Sequence, residues 1–134
     1  MMLPHNTTVA VIDGQSFNLF RNGGHESDLA LKAVPAPPLH AVNAGSGGRH
    51  YSSSGNPDAR HQHEDGFAAA AAAWLNRQVL DGAIEALVVI AAPATLGELR
   101  KHYHKQLESV LEAELSRDLV GRPVADVEAA IRNH

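Results

Sequence analysis

The sequence predicts an α/β domain built on one mixed sheet. Two short segments, residues 7–12 and 86–92, have the apolar composition of buried strands. From residue 57 onward, segments with helical spacing alternate with strand-like segments. An early hairpin followed by strands that alternate with helices is typical of a sheet with helical crossovers.

The composition fits a single globular domain. The chain has 134 residues, of which 44% are hydrophobic and 19% are charged, which is enough for one core and too little for two domains. It contains no cysteine, which excludes disulfides, cysteine nucleophiles and thiolate metal sites. The net charge of -4 argues against bulk electrostatic binding of nucleic acid, but it is compatible with a local basic patch.

The first two strands are predicted to form a hairpin. Residues 7–12 are rich in β-branched side chains, and Asp13-Gly14 separates them from a second strand-like run at residues 15–21. Asp-Gly between two such runs favours a type I′ turn, in which both central residues have positive φ. We therefore expect a tight loop centred on this dipeptide.

A third strand is expected at a sheet edge within residues 25–44. Apolar residues alternate at its start, and residues 39–42 offer a second short apolar segment. Prolines interrupt the region, and proline restricts a strand to a sheet edge or ends it. The alternating residues are Leu29, Leu31 and Ala33, and the prolines are Pro35, Pro37 and Pro38.

A polar loop is predicted over residues 43–58, followed by a long helix. Glycine and serine dominate the loop, which indicates backbone freedom. Asn56 suits the N-cap of the helix and Pro57 suits its first position. Gly82 is expected just past its C-terminus, and the alanine run within the helix is expected to let it lie close to the sheet.

The remaining elements follow the buried strand at residues 86–92. Thr95 and Glu98 have the spacing of a capping box, so a second helix is expected to start at Thr95. Beyond residue 109 the pattern fits both a continuation of this helix and a half-exposed strand, and periodicity slightly favours the helix. Pro123 is predicted to open a last helix, with Val124 among its inward-facing residues.

The histidines do not form a recognisable metal-binding pattern. The chain has nine, and they are densest at His61-Gln62-His63 and His102-Tyr103-His104. On a helix, positions i and i+2 point about 200° apart, and the helical zinc motif with histidines at i and i+4 is absent. We therefore expect no metal and no cofactor.

The acidic residues do not predict a nuclease. Two-metal phosphoryl chemistry needs several carboxylates that converge on one point. Asp13 is explained by the hairpin turn, and Glu64 and Asp65 are explained by the positive end of the long helix. The buried strand ends at residues 91–93 without an acid.

Three stretches carry a family resemblance that spans nearly the whole chain. Together they resemble the host attachment protein family of bacteria, whose members are described as required for attachment to host cells. The stretches are residues 9–14 with 20–22, residues 47–50 with 56–58, Glu64, Phe67 and Ala68, and residues 87–93 with Leu96, Gly97, Leu99, Arg100, Asp118 and Leu119.

The resemblance implies a fold. The family is related to the middle domain of archaeal and eukaryotic peptide-chain release factors, a ribonuclease-H-like α/β arrangement. It therefore implies one domain over residues 1–134, with a mixed five-stranded sheet and about three helices. It also makes residues 109–117 the fifth strand, against the helical periodicity. The chain departs from the family in residues 25–44, where members usually carry a longer and more charged stretch.

The resemblance also implies a contact surface in the glycine-rich loop. In release-factor middle domains, a Gly-Gly-Gln motif lies in a flexible loop before the long helix and helps to place water at the peptidyl-tRNA ester. Here arginine stands where the glutamine would be; it cannot accept a proton at neutral pH, but it can hold a phosphate through two hydrogen bonds. The candidate residues for contact with RNA or a protein partner are Gly47, Gly48, Arg49, His50, Arg60, His61 and His63.

The expected function is therefore that of a non-enzymatic bacterial binding protein that associates with the ribosome, with RNA or with a protein partner. The start of the chain has no basic and apolar leader pattern, so we expect a cytoplasmic protein without membrane association and read any attachment role as indirect. A peptidyl-tRNA ester hydrolase and a histidine-dependent metal-binding protein are the alternatives. For the loop itself, a solvent-exposed linker with incidental charges is the commoner explanation of such a segment. A homodimer through an edge strand is compatible with the sequence.

Overall fold

The computed structural model describes residues 2–39 and 57–134, without the side chains of residues 57–62. The predicted loop at 43–58 therefore lies outside the described residues, apart from the backbone of its last two. The elements are β1 (Thr8–Ile12), β2 (Phe17–Asn22), β3 (Leu31–Val34), α1 (Pro57–Leu80), β4 (Leu87–Ala91), α2 (Pro93–Arg100), α3 (Lys105–Val110), β5 (Leu111–Ser116) and α4 (Val124–Arg132).

The strands form one mixed sheet in the order β3-β2-β1-β4-β5. The pairs β1–β2 and β2–β3 are antiparallel, whereas β1–β4 and β4–β5 are parallel. This confirms the predicted α/β class and mixed five-stranded sheet, and it is compatible with a ribonuclease-H-like arrangement. The described residues contain four helices, one more than expected.

The sheet is covered on both faces. Along β1, Ala10 and Ile12 belong to the core shared with α1, α2 and α3, whereas Val9 and Val11 belong to the core shared with α4. All positions of β1 and of β4 are buried, as the continuous apolar runs in the sequence indicated. The result is a three-layer domain with the longest helix, α1, on one face.

The β1–β2 hairpin forms, but the predicted type I′ turn is wrong. Ile12 pairs with Phe17, which leaves a four-residue loop, and Gly14 does not have positive φ. The Asp13 carboxylate instead accepts hydrogen bonds from the backbone N–H groups of Gln15 (2.7 Å) and Ser16 (2.5 Å). An aspartate side chain that replaces a backbone acceptor closes a turn without left-handed residues.

The third strand lies at the sheet edge, as predicted, and among the described strands it pairs with β2 alone. Side chains of α4 satisfy backbone groups at its start. Glu128 accepts a hydrogen bond from the Leu31 N–H at 2.8 Å, and Arg132 donates one to the Leu29 carbonyl at 3.1 Å. Of the alternative segment at 39–42, only residue 39 lies among the described residues.

The termini predicted for α1 are confirmed where the structure describes them. The helix begins at Pro57, and Gly82 follows its end with φ of 81°. The Gly82 N–H donates to the Val79 carbonyl at 3.0 Å, and the Ala83 N–H donates to the Gln78 carbonyl at 2.9 Å. This paired arrangement satisfies the last carbonyls of the helix and requires a left-handed residue, which glycine adopts at little cost.

The predicted capping box is wrong, and so is the single helix that was expected to follow it. α2 begins at Pro93, and the preceding Ala92 makes no side-chain cap, because a proline with fixed φ can start a helix directly after a strand. The chain then breaks before α3, whose N-cap is His104. β5 follows at once, which confirms the fifth strand implied by the resemblance.

The last helix follows Pro123 as predicted. Val127, Ala130 and Ile131 are buried against the sheet, but Val124 is 39% exposed. Its expected inward position is therefore wrong, because the first turn of α4 extends past the edge of the buried layer.

Candidate functional site

The seven candidate contact residues are only partly within the described structure. Gly47, Gly48, Arg49 and His50 lie outside it. Arg60 and His61 fall in the first two turns of α1, but their side chains lie outside the described part. His63 is exposed on the same helix. Three of the seven residues thus share the start of one helix, and how all seven are grouped stays a prediction.

The start of α1 lies against the β1–β2 turn. The side chain of Glu64, which is half-buried, contacts Gly14 so closely that a Cβ added to this glycine would lie 2.5 Å from Cγ of Glu64 and 2.9 Å from its Cβ and Cδ. Only glycine allows this approach. Sequence reasoning missed the contact because it gave Gly14 a role in turn geometry and gave Glu64 a role at the helix terminus.

Apolar packing fixes the rest of α1 to the sheet. Phe67 is buried one turn after the Gly14 contact, and Ala71 and Leu75 have no exposed surface. Trp74 meets Phe17 of β2 edge to face, with ring centres 5.5 Å apart. Ala68, Ala71 and Ala72 of the alanine-rich helix are buried in this core, and the close approach of the helix to the sheet stays a prediction.

The carboxyl ends of the parallel strands do not assemble acidic residues. Asp13 at the end of β1 is engaged in its turn, and β4 ends at Ala91 before Ala92 and Pro93. Within residues 2–39 and 57–134, no group of three or more histidine, aspartate or glutamate side chains could hold a metal ion. The described residues therefore do not supply the carboxylate set that two-metal chemistry requires.

Asn76 and two of the singled-out histidines form the break between α2 and α3. The Asn76 carboxamide donates to the His102 carbonyl at 2.8 Å and accepts from the His104 N–H at 2.9 Å. The His104 ring in turn accepts from the Gln106 N–H at 3.0 Å through Nδ1. His104 therefore acts as a helix cap.

An ion-pair cluster lies beside this break. Glu98 accepts hydrogen bonds from Lys101 at 3.0 Å and from Nε2 of His102 at 3.2 Å. The hydrogen bond from Lys101 is the largest cause that holds the pKa of the Glu98 carboxyl below its ordinary value, and partial burial opposes it. The cluster lies at the surface and joins residues three and four positions apart in the chain.

Tyr103 is held as a neutral donor. Its hydroxyl donates to Glu114 at 3.1 Å, and Arg100 contacts the same carboxylate at 2.9 Å. Burial raises the pKa of the Tyr103 hydroxyl well above its ordinary value, and the neighbouring Glu114 raises it further. A phenol with this pKa does not supply a base or a nucleophile at neutral pH.

Comparison with known proteins assigns the chain to a family. Residues 6–131 match the model of bacterial archaeo-eukaryotic release factor family 12. No curated protein matches the chain significantly. In the described part of the chain, no helix combines the length and the apolar character that crossing a membrane requires. The match supports the release-factor relationship implied by the sequence resemblance, and it does not carry the host attachment name. The chain therefore belongs to bacterial archaeo-eukaryotic release factor family 12.

Proposed function

We propose that this protein is a non-enzymatic binding module that associates with the ribosome or with other structured RNA. The observation that carries the proposal is the family match over residues 6–131, which relates nearly the whole chain to release factors. The binding surface is the glycine-rich segment before α1 together with the first turns of that helix. Binding to ribosomes would also give the protein a cytoplasmic location.

The residue types in this segment support an anionic partner. Arg49 replaces the glutamine of the release-factor motif, and Arg60 follows in α1. Guanidinium groups bind phosphate oxygens through paired hydrogen bonds. The contact between Gly14 and Glu64 supports the same proposal, because it holds the start of α1, the helix that contains Arg60, against the β1–β2 turn.

Two finer roles follow only as parts of this proposal. A role in attachment to host cells would be indirect, through regulation inside the cell. Association with a protein partner in place of RNA, or with a second copy of the chain, would use the same glycine-rich segment or an edge strand. The sedimentation experiment below distinguishes ribosome binding from binding to a separate protein partner or to a second copy of the chain.

The test is sedimentation of the full-length protein with ribosomes through a sucrose gradient. The variant Arg49→Ala/Arg60→Ala removes two positive charges from the proposed surface. The control Arg77→Ala/Arg117→Ala removes two exposed arginines elsewhere. We expect co-migration that falls with added salt, that is lost in the first variant and that is retained in the control.

Two outcomes would contradict the proposal. If the wild-type protein stays at the top of the gradient, the release-factor relationship reflects ancestry alone. If both double variants lose co-migration equally, binding depends on overall charge and not on this segment.

The family match also keeps ester hydrolysis as a second candidate function. The lack of the motif's glutamine opposes it, because arginine cannot act as a proton acceptor. Release of labelled peptide from ribosome-bound peptidyl-tRNA distinguishes the two functions. Turnover by the wild type that disappears on deletion of residues 45–55 would replace the binding module with a hydrolase.

A further inference from the structure

A groove forms where the N-terminal turn meets the β2–β3 connection. It is lined by Met2, His5, His25, Glu26 and Ser27 and has a volume of about 480 Å³. All five residues are exposed. The groove lies away from α1 in sequence, and the proposed function does not use it.

A buried carboxamide holds both walls of this groove. Asn22 at the end of β2 has no exposed surface. Its Nδ2 donates to carbonyls of the N-terminal turn, and its Oδ1 accepts from N–H groups of the β2–β3 connection. The bonds join Asn22 to the Leu3 carbonyl (3.1 Å), the Pro4 carbonyl (3.3 Å), the Gly24 N–H (2.9 Å) and the Ala30 N–H (3.1 Å).

Each wall presents one imidazole. The ring centres of His5 and His25 are 6.3 Å apart, with an angle of 36° between the ring planes. Nδ1 of His5 lies 2.8 Å from the Gly24 carbonyl, so Nδ1 carries the proton and donates it. In the neutral ring this leaves Nε2 with a free electron pair.

The backbone conformation of the turns that carry His5 and His25 is also constrained. Asn6, directly after His5, has φ of 69° and is the one non-glycine residue with positive φ in the described part of the chain. Gly24, directly before His25, lies so close to the Asp28 carbonyl that a Cβ would overlap it. Both histidines therefore extend from turns that are fixed by neighbouring contacts.

We propose that His5 and His25 form a surface site for one divalent transition-metal ion of the Zn²⁺, Ni²⁺ or Cu²⁺ class. These ions prefer imidazole nitrogen. A metal-binding histidine usually donates its other ring N–H to a carbonyl or carboxylate, as His5 donates to the Gly24 carbonyl. Glu26 and Asp28 on the same turn add negative charge beside the ion.

The ring separation is close to that required. A metal–nitrogen bond of about 2.0–2.1 Å places the centre of an imidazole ring roughly 3.2 Å from the ion. Two rings on a tetrahedral ion then have centres roughly 5 Å apart, which the pair reaches by a shift of about 1 Å through rotation of exposed side chains. Among the described residues no third histidine or carboxylate joins the pair in a metal-binding group, so water would complete the coordination.

The test is calorimetric titration of zinc chloride into the full-length protein, prepared without a histidine tag. We expect one saturable site in the wild type and binding at least about tenfold weaker in both His5→Ala and His25→Ala, since each removes one of two ligands. His25→Ala leaves the His5–Gly24 hydrogen bond in place, so its effect does not depend on a loosened N-terminal turn. Circular dichroism verifies that both variants fold.

The matched control is His61→Ala/His63→Ala, which removes two histidines from the start of α1. This variant should keep the site, and its melting temperature should rise on addition of zinc as in the wild type, because an ion that binds only the folded chain stabilises it. The proposal is overturned by a wild type without saturable binding. It is also overturned if the control loses the site or if His25→Ala retains full affinity.

Discussion

The side chain of Asn76 in α1 accepts a hydrogen bond from the backbone N–H of His104 at 2.9 Å. Its amide group also donates to the His102 carbonyl, so one carboxamide holds both sides of the break between α2 and α3. The break is thus fixed by a residue more than twenty positions earlier in the chain, and its stability should respond to changes in α1.

Asn76→Ala should lower the free energy of unfolding by about 1 kcal/mol, because two backbone groups exchange a protein partner for water at a partly exposed site. Asn76→Asp keeps the acceptor for the His104 N–H and loses the donor, so its effect should be smaller. Urea unfolding measures both variants. Faster hydrogen exchange at residues 101–106 in Asn76→Ala, without a change in β1, would localise the effect, and unchanged exchange there would contradict the assignment.

Gly14→Ala should destabilise the protein by about 1–3 kcal/mol, because the added methyl group overlaps the Glu64 side chain. In a Glu64→Ala background the overlap disappears, and most of the loss should be recovered. A double-mutant cycle by urea unfolding measures this coupling.

Gly82→Ala is the control for that cycle. Gly82 has φ of 81° and nothing lies within 4 Å of its added Cβ. Its substitution should cost about 1 kcal/mol through backbone conformation alone, and Glu64→Ala should not recover it. Equal recovery at both glycines would show that Gly14 is not a packing position.

Asn22→Ala should be the most destabilising single change considered, at about 3 kcal/mol or more. It leaves three backbone groups beside a buried position without their partner: the Leu3 carbonyl, the Gly24 N–H and the Ala30 N–H. The Pro4 carbonyl keeps its hydrogen bonds from Thr7. Asn22→Asp keeps the acceptor and sets a carboxylate against two carbonyls, so it should also destabilise strongly. Thermal and urea unfolding measure both. Asn18→Ala, which removes one long and exposed hydrogen bond, is the control and should change stability by less than about 0.5 kcal/mol.

Stability should fall in acid partly through Glu98. The pKa of this carboxyl is lower in the folded protein than its ordinary value of 4.5, mainly because Lys101 donates to it. Its contribution is therefore complete above the unfolded pKa and is lost as the pH falls through the folded pKa. The difference in unfolding free energy between wild type and Glu98→Gln should be larger at about pH 6 than at about pH 3.

The control is Glu112→Gln, whose unfolding free energy is compared with that of the wild type at the same two pH values. It shows how much one exposed carboxylate on β5 contributes to stability. A Glu98 difference that stays constant across the pH range, or that matches the Glu112 control, would show that the ion pair with Lys101 adds nothing to stability. The effect is small in either case, because the partner Lys101 is highly exposed.

Local sequence signals predicted the elements that depend on local chemistry. Continuous apolar runs identified β1 and β4, prolines placed β3 at an edge, and Pro57 and Gly82 marked the ends of α1. The failures arise where a distant or competing group decides the structure. The Asp13 carboxylate closes a turn that the dipeptide alone assigned to backbone conformation, and Asn76 fixes a helix break that periodicity could not show.

The two candidate sites also differ in whether local sequence signals could predict them. The segment containing Arg49 is predicted from its residue types and family resemblance, and it lies outside the described residues, so it stays a prediction. The pair His5 and His25 could not be found from sequence, because nineteen residues separate them and tertiary hydrogen bonds of Asn22 and His5 bring the two turns together. The histidines are densest along the chain at residues 61–63 and 102–104 instead, and the backbone of His102 and both the backbone and the ring of His104 bond at a helix break.

The hydrogen bond between Leu31 and Glu128 spans 97 positions of the chain. During synthesis, β1, β2 and β3 are made long before the helix that satisfies the start of β3. Until α4 packs against the sheet, the face that carries Val9 and Val11 lacks its helical cover. Such a late long-range contact slows folding and extends the time during which the edge can pair with another chain. Packing of α4 therefore covers one face of the sheet and also pairs a backbone group of its edge strand.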